Sequence, residues 1–230
     1  MPLPPEETES KERKRIGLIG SGFISKGLVV LIEPRHDLQI HRILTRSRIE
    51  ERQDFPRPDL LTNSYEELLQ DADLILEASG DIFSSTAVLE MALERSIPVI
   101  TMNAELQITT GSCLARKGFI TEAEGDQPGC LAALREEVLQ MGLSPLVYGN
   151  LKNFLNRNPT LEEMQFWAAK SGNSVENITS FTDGTKVQIE QALVANGLGA
   201  AIIKPGLCGL ASDSVEAGGI ELAEKAKAMG

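Results

Sequence analysis

Histidine and cysteine are scarce in this chain, and their scarcity excludes most metal and disulfide scaffolds. There are only two histidines, His36 and His41, and the three cysteines, Cys113, Cys130 and Cys208, are widely and irregularly spaced. Neither a zinc knuckle nor a disulfide framework follows from such a pattern. Any metal would have to be held by oxygen ligands. Long apolar runs are missing too: none reaches the roughly 20 residues that cross a bilayer. The opening MPLPPEETESKERKR is charged where a secretion signal would be apolar. The expectation is a cytoplasmic chain with no membrane partner. Positive charge is in deficit, with 22 Lys plus Arg against 33 Asp plus Glu and a net charge of -11. That balance argues against a nucleic-acid partner, which needs a broad basic face. What remains is ordinary: 42% apolar residues in 230 can bury a substantial core, as one large domain or two small ones.

The most informative stretch is Arg15 to Gly27, RIGLIGSGFISKG. A short apolar run, Ile16, Leu18 and Ile19, enters Gly20-x-Gly22-x-x-Ser25, and a helix-like apolar run leaves it from Phe23 to Ile32. Strand, glycine loop and helix in this order suit a dinucleotide. Gly20 allows the tight turn and Gly22 lets backbone approach a pyrophosphate. The helix start, at Phe23 and Ile24, offers unpaired N–H groups and the positive end of a dipole. Ser25 replaces the third glycine of the fingerprint and is small enough for close helix–strand packing. The diphosphate is thus expected against the amides of residues 20 to 25.

The following segments extend the pattern. Pro34 stops the helix, and Leu38 to Leu44 reads as a second parallel strand. In NAD enzymes an acidic residue closes this strand; here it runs into Thr45-Arg46-Ser47-Arg48. Two arginines and two hydroxyls suit a 2′-phosphate, hence NADPH rather than NADH. A Ser-capped helix at 64–70, a buried strand at 72–78, a helix at 84–95 and a strand at 97–101 come next. Ligands in such sheets bind beyond the carboxyl ends of the strands, which places Ser79, Gly80, Asn103 and Glu105 as cofactor contacts. Helix capping competes as a reading of Asn103 and Glu105.

Past residue 117 the pattern changes to a second unit of mixed helices and short strands. Strands are expected at 119–124 and 144–148. Helices are expected after Asp126-Gln127-Pro128, after Thr160 with Glu163 as a capping box, and after Asp183-Gly184-Thr185-Lys186. On the helix after Thr160, Leu161, Met164 and Trp167 should face inward. Asp126 and Asp183 each read as a helix cap or as an active-site carboxylate. Lys186 stands in a first helical turn, where the dipole opposes a cation by roughly 0.3 to 1 kcal/mol, a cost that an active-site lysine would justify. Hydride transfer to a carbonyl needs a donor to polarise it, a role open to Lys152 and Lys186, with Glu124, Asp126 and Asp183 beside them. Those three carboxylates are alternatively a divalent-cation site. Tyr148 and Lys152 also have the spacing of a short-chain dehydrogenase pair, which requires a helix that Gly149-Asn150 does not favour.

At Glu77-Ala78-Ser79-Gly80, Met102-Asn103-Ala104-Glu105, Thr121 to Gly129, Gly149-Asn150-Leu151-Lys152 and Ser180 to Lys186, followed by Val194-Ala195-Asn196, the chain resembles the homoserine dehydrogenase-like oxidoreductases. It is most similar to the branch that carries a C-terminal SAF domain in longer members and includes deoxyxylulose-phosphate reductoisomerase-like enzymes. The resemblance covers about Lys14 to Ala200. It implies an α/β fold: a Rossmann, doubly wound parallel sheet over 15–117, then a smaller α+β catalytic and dimerisation domain over 118–200. Residues 1–14 would be a flexible arm and 201–230 a tail. It further implies NADPH, a homodimer, and reduction of a small hydroxy-carbonyl substrate held by Asn150, Lys152 and Lys186. In reductoisomerase-like members that substrate is 1-deoxyxylulose 5-phosphate, converted to methylerythritol 4-phosphate for isoprenoid synthesis. Reduction of aspartate semialdehyde and a catalytically inactive NADP-binding regulator are the alternatives. The chain departs from the longer members by ending at residue 230, without their C-terminal portion.

Overall fold

The computed structural model describes residues 12–152 and 154–229. Most of the expected N-terminal arm therefore lies outside the described residues. The chain divides into two compact units between Glu122 and Ala123.

The first unit is a six-stranded, wholly parallel sheet. Its strands are β1 (Lys14–Ile19), β2 (Leu38–Leu44), β3 (Leu61–Thr62), β4 (Leu74–Glu77), β5 (Val99–Thr101) and β6 (Ile120–Glu122), in the spatial order β3-β2-β1-β4-β5-β6. The order reverses between β1 and β4, and a crevice outside the strand ends at that point is where such sheets bind ligands. Between the strands run α1 (Phe23–Ile32), α2 (Tyr65–Leu69) and α3 (Ile82–Glu94); α4 (Ala104–Leu106), a π turn and α5 (Ser112–Leu114) link β5 to β6. The strand expected to open the second unit is instead the sixth strand of this sheet, because 120–122 pair with 99–101.

Why the sheet has helices on both faces is visible along single strands. Side chains alternate between faces with a period of two. Leu18 and Ile43 pack with Val29 of α1, Phe55 and Leu61, whereas their neighbours Ile19 and Leu44 pack with Leu68, Ile75, Leu89 and Val99. Both faces are thus apolar and both are covered, as parallel sheets require. Ser25, at the third fingerprint position, is fully buried, so its small size is used for packing.

At the carboxyl edge of the sheet Glu77 is buried, and among the described residues no cation pairs with it. Its carboxyl accepts from the Ser79 N–H at 2.9 Å, the Ser79 hydroxyl at 2.6 Å, the Ser85 hydroxyl at 3.0 Å and the Thr101 hydroxyl at 2.7 Å. One side chain thereby joins the ends of β4 and β5, the loop after β4, and α3. Four partners satisfy what would otherwise be a costly buried polar group.

The second unit is helical: α6 (Gly129–Gln140), α7 (Leu161–Ser171), α8 (Val175–Thr182), α9 (Thr185–Leu198) and α10 (Val215–Met229). Among its described residues the only β pairing is an isolated bridge between Glu124 and Asp126. The strand expected at 144–148 is irregular backbone; an extended segment with no neighbour to pair gains no ladder, and Pro145 has no N–H to donate. The expected tail carries α10, which starts at Val215. The Thr160–Glu163 capping box forms as expected. Of the three residues expected to face inward on α7, Met164 is buried, but Leu161 and Trp167 are exposed. The buried stripe is instead Met164 and Ala168, one turn apart.

Replacing Glu77 by Ala removes the common acceptor and leaves three hydroxyls and an amide to find others. The expected loss is about 2 to 4 kcal/mol of stability in urea unfolding followed by circular dichroism, with Glu77→Gln retaining part of it.

Candidate active site

At the reversal point of the sheet lies a cleft of about 740 Å³ lined by the glycine loop, the segment after β2, Ser79, Asp81, and Ser84 and Ser85 of α3. Gly20 has φ of +103°, and a Cβ there would come within 2.8 Å of the Ala78 carbonyl oxygen and of Ser79 Cα. Only glycine fits that approach. Gly22 is the opposite case: a Cβ on it would meet nothing within 4 Å, so the backbone borders open space. Gly22 is also the N-cap of α1 and no side chain caps that end. An open cleft bordered by Gly22, at the positive end of a ten-residue helix that no side chain caps, fits a phosphate group.

The cleft corrects part of the expectation. The Gly20 amide donates to the Leu44 carbonyl at 3.0 Å, so it is not free for a diphosphate. Gly20, Gly22, Arg46, Ser47, Arg48 and Ser79 line the cleft; Phe23, Ile24, Gly80, Asn103 and Glu105 are not among the lining residues. Asn103 caps α4, accepting from the Leu106 N–H at 3.0 Å. It follows β5, one strand further from the glycine loop than β4.

Thr45, one of the two hydroxyls expected beside the arginines, lines the cleft, whereas sequence reasoning missed several other lining groups, including Arg52, Asn63, Tyr65 and Asp81. Arg52 is the most consequential. It donates to Ser21 Oγ at 3.0 Å and to the Ser21 carbonyl oxygen, and Ser21 Oγ lies 2.8 Å from Thr45 Oγ1. These bonds tie the residue between the two glycines to the segment after β2. Arg46 pairs with Asp81, and Arg48 lies 3.9 Å from Glu50 and 3.8 Å from Glu51. A further basic residue six positions beyond Arg46 was the available signal for Arg52, but only tertiary packing turns it toward the loop.

The second unit brings together a different set. Glu190, on α9, is fully buried. It accepts from Asn150 Nδ2 at 2.9 Å and pairs with Lys186 at 3.3 Å and Lys152 at 3.7 Å. Lys186 also pairs with Asp126 at 2.6 Å and lies 4.7 Å from the Phe181 ring centroid. Asn150, Lys152, Lys186 and Asp126 therefore converge, and Glu190, which no sequence motif flagged, joins them. Its spacing of four from Lys186 on one helix was the signal. Burial works against the Lys186 charge, yet the Asp126 hydrogen bond and the Glu190 carboxyl outweigh it and hold the ammonium above the ordinary lysine range. Burial likewise pushes the Asp126 carboxyl up, and Lys186 with the Gln127 N–H brings it below the ordinary carboxylate range. Lys186 is thus charged and a hydrogen-bond donor at neutral pH.

Glu124 and Asp183 stand apart from this. Glu124 is exposed, its backbone forming an isolated β-bridge with Asp126, while Asp183 turns back to accept from the Thr185 N–H at 2.8 Å. Among the described residues no group of three His, Cys, Asp or Glu is placed to hold a metal ion, so the alternative divalent site at Glu124, Asp126 and Asp183 is not assembled there. Asp126 serves Lys186 instead. Neither aspartate caps the following helix: Pro128 and Gly184 occupy those N-cap positions. Tyr148 and Lys152 lie on irregular backbone, so the helical Tyr–Lys arrangement is absent.

The family described as oxidoreductase DRL, catalytic domain, matches residues 125–227. Homoserine dehydrogenase of Bacillus subtilis is 28% identical over 127 residues, half of this chain. Over that half the chain is similar to a homoserine dehydrogenase. The chain spans 28% of that relative's length. Among solved structures, a hyperthermophilic archaeal homoserine dehydrogenase in complex with NADPH shares the fold with a TM-score of 0.53 and 15% identity, over 78% of this chain and 67% of its own. The homoserine dehydrogenase of Thiobacillus denitrificans gives 0.50 at 16% identity, over 85% and 45%.

Two outcomes test the lysine cluster. Glu190→Ala leaves two ammonium groups beside an emptied buried site and should destabilise the second unit by about 3 kcal/mol, read by fluorescence of Trp167, the only tryptophan. Asp126→Asn should cost less than about 1 kcal/mol because the pair is partly exposed. The sign of its pH dependence follows from both shifts. The lowered Asp126 contributes above its unfolded value and is lost as pH falls through the folded one. The raised Lys186 contributes below its unfolded value and is lost as pH rises through the folded one. The difference between wild type and Asp126→Asn should therefore be flat from about pH 5 to about pH 9 and shrink on either side.

Proposed function

We propose that this chain is an NADPH-dependent oxidoreductase that reduces a small polar hydroxy-carbonyl substrate. The observation that carries the reading is the cleft: an uncapped helix start behind a glycine loop, rimmed by arginines on the segment that meets the adenosine ribose in folds of this design. The archaeal relative bound to NADPH supports the same coenzyme. Bound NADPH would supply a hydride to the carbonyl carbon. Lys186 polarises the carbonyl oxygen by hydrogen bonding and gives it the proton that the new alcohol needs. Asp126 and Glu190 keep Lys186 charged and in place, Lys152 presents a second cation to the substrate's polar groups, and Asn150 fixes the Glu190 carboxyl.

The resemblance to reductoisomerase-like enzymes of the SAF-domain branch makes 1-deoxy-D-xylulose 5-phosphate the first substrate to test. The homoserine dehydrogenase relative favours aspartate semialdehyde as the second. A cytoplasmic homodimer completes the reading. It is supported by large apolar side chains exposed on the second unit, Leu146, Phe154, Phe166 and Trp167 among them, and by the absence, among the described residues, of a helix long and apolar enough to cross a membrane. Light scattering tests the dimer.

NADPH fluorescence should change on mixing with the protein, and NADPH should be consumed with one of the two substrates. Lys186→Ala is expected to lower kcat by about 100-fold or more while leaving NADPH affinity unchanged. Binding without turnover of either substrate would favour an inactive regulator, and no binding would end the proposal.

A further inference from the structure

The arginines at the mouth of the cleft are not equivalent. Arg52 is committed to Ser21 and lies 3.5 Å from Asp54, with only 21% of its side chain exposed. Arg48 is 77% exposed and has only distant carboxylates beside it. Arg46 lies between these extremes: its side chain is 70% exposed, yet its guanidinium is hydrogen bonded to Asp81. That contact spans the cleft, from the segment after β2 to the start of α3. Asp81 is itself fixed, because its other oxygen caps α3 by accepting from the Ser84 N–H at 2.9 Å and its own N–H donates to Ser79 Oγ at 3.0 Å. Its side chain is only 20% exposed. The mobile member of the pair is therefore the arginine, and the rigid one is the carboxylate.

A ligand phosphate seated on Arg46 would have to take the guanidinium from Asp81 and would then face that carboxylate across the cleft. A coenzyme without the phosphate has no claim on the guanidinium and leaves the pair intact. We propose that Asp81 is a specificity-determining residue, a built-in competitor for Arg46 that moderates the preference for a 2′-phosphorylated coenzyme over its unphosphorylated counterpart. The inference rests on the coenzyme reading of this cleft but goes beyond it, since that reading is indifferent to what holds Arg46.

The test uses Asp81→Asn, because asparagine caps helices as well as aspartate does and so keeps the start of α3 while removing the charge. Affinities for NADPH and NADH are measured by fluorescence titration on the full chain, with circular dichroism to verify that each variant is folded. Asp81→Asn should tighten NADPH by about 3- to 10-fold and change NADH by less than twofold, and the gain should fade as salt is raised. Arg46→Gln should reduce the preference for NADPH. In the Arg46→Gln background, Asp81→Asn should then have little effect, since the competitor no longer has anything to hold. Unchanged or weaker NADPH binding by Asp81→Asn overturns the proposal, and so does a gain that persists at full size in the Arg46→Gln background. If wild type binds neither coenzyme, the functional reading of the cleft falls first and this inference with it; if both bind and only the ratio fails to move, the functional reading stands and this inference alone is lost. Should Asp81→Asn fail to fold, Asp81→Ser, another capping residue without charge, carries the same expectation.

Discussion

The close approach of Gly20 to the Ala78–Ser79 backbone is the constraint from which the first unit's site follows. A side chain there would strike main chain rather than a movable side chain. Because the glycine is bare, β1 and β4 run side by side up to the turn, with the Ala78 amide donating to the Ile19 carbonyl at 2.9 Å. The loop then turns tightly enough to aim the start of α1 at the cleft. Behind it, Glu77 fixes the parting strand ends with hydroxyls rather than with cations. The backbone that borders the cleft is therefore set by two devices, one steric and one hydrogen bonded, before any ligand is considered.

Much of this was legible in the amino-acid order. The period-two apolar residues of β1, β2 and β4, the glycine spacing, Pro34 after α1, Ser64 ahead of α2 and the Thr160–Glu163 box are local signals, and local signals survive without knowledge of tertiary structure. The second unit was less legible. The segment 144–148 has the apolar character of a strand, but no edge is offered to it, and pairing is a property of neighbours rather than of the segment. Strand β6 shows the converse, since a short run expected as a strand of the second unit found an edge in β5 and so joined the first unit.

Site residues divide along the same line. Arg46, Lys152 and Lys186 could be chosen because charge at a strand end or in a first helical turn is costly or purposeful in itself. Glu190 could not, because a glutamate in mid-helix is unremarkable until three nitrogen-bearing groups are seen around it. Arg52 and Asp81 were hidden for the same reason. Glu124 and Asp183 illustrate the opposite error: carboxylates near one another in motif space did not converge, since one is bound to its own turn and the other faces solvent.

The irregular stretch that carries Asn150 and Lys152 has no ladder or helix of its own to order it. What fastens it to α9 is Asn150 on Glu190 and the Gln191 side-chain amide, which donates to the Tyr148 carbonyl at 3.0 Å. The carboxyl that organises the lysines is therefore also the peg on which this segment hangs. Chemistry and local folding share one group, so the segment's amide exchange would report on how the lysine cluster is occupied, and a change of partner at Glu190 would be felt as slack in the chain seven or more residues before α7 begins.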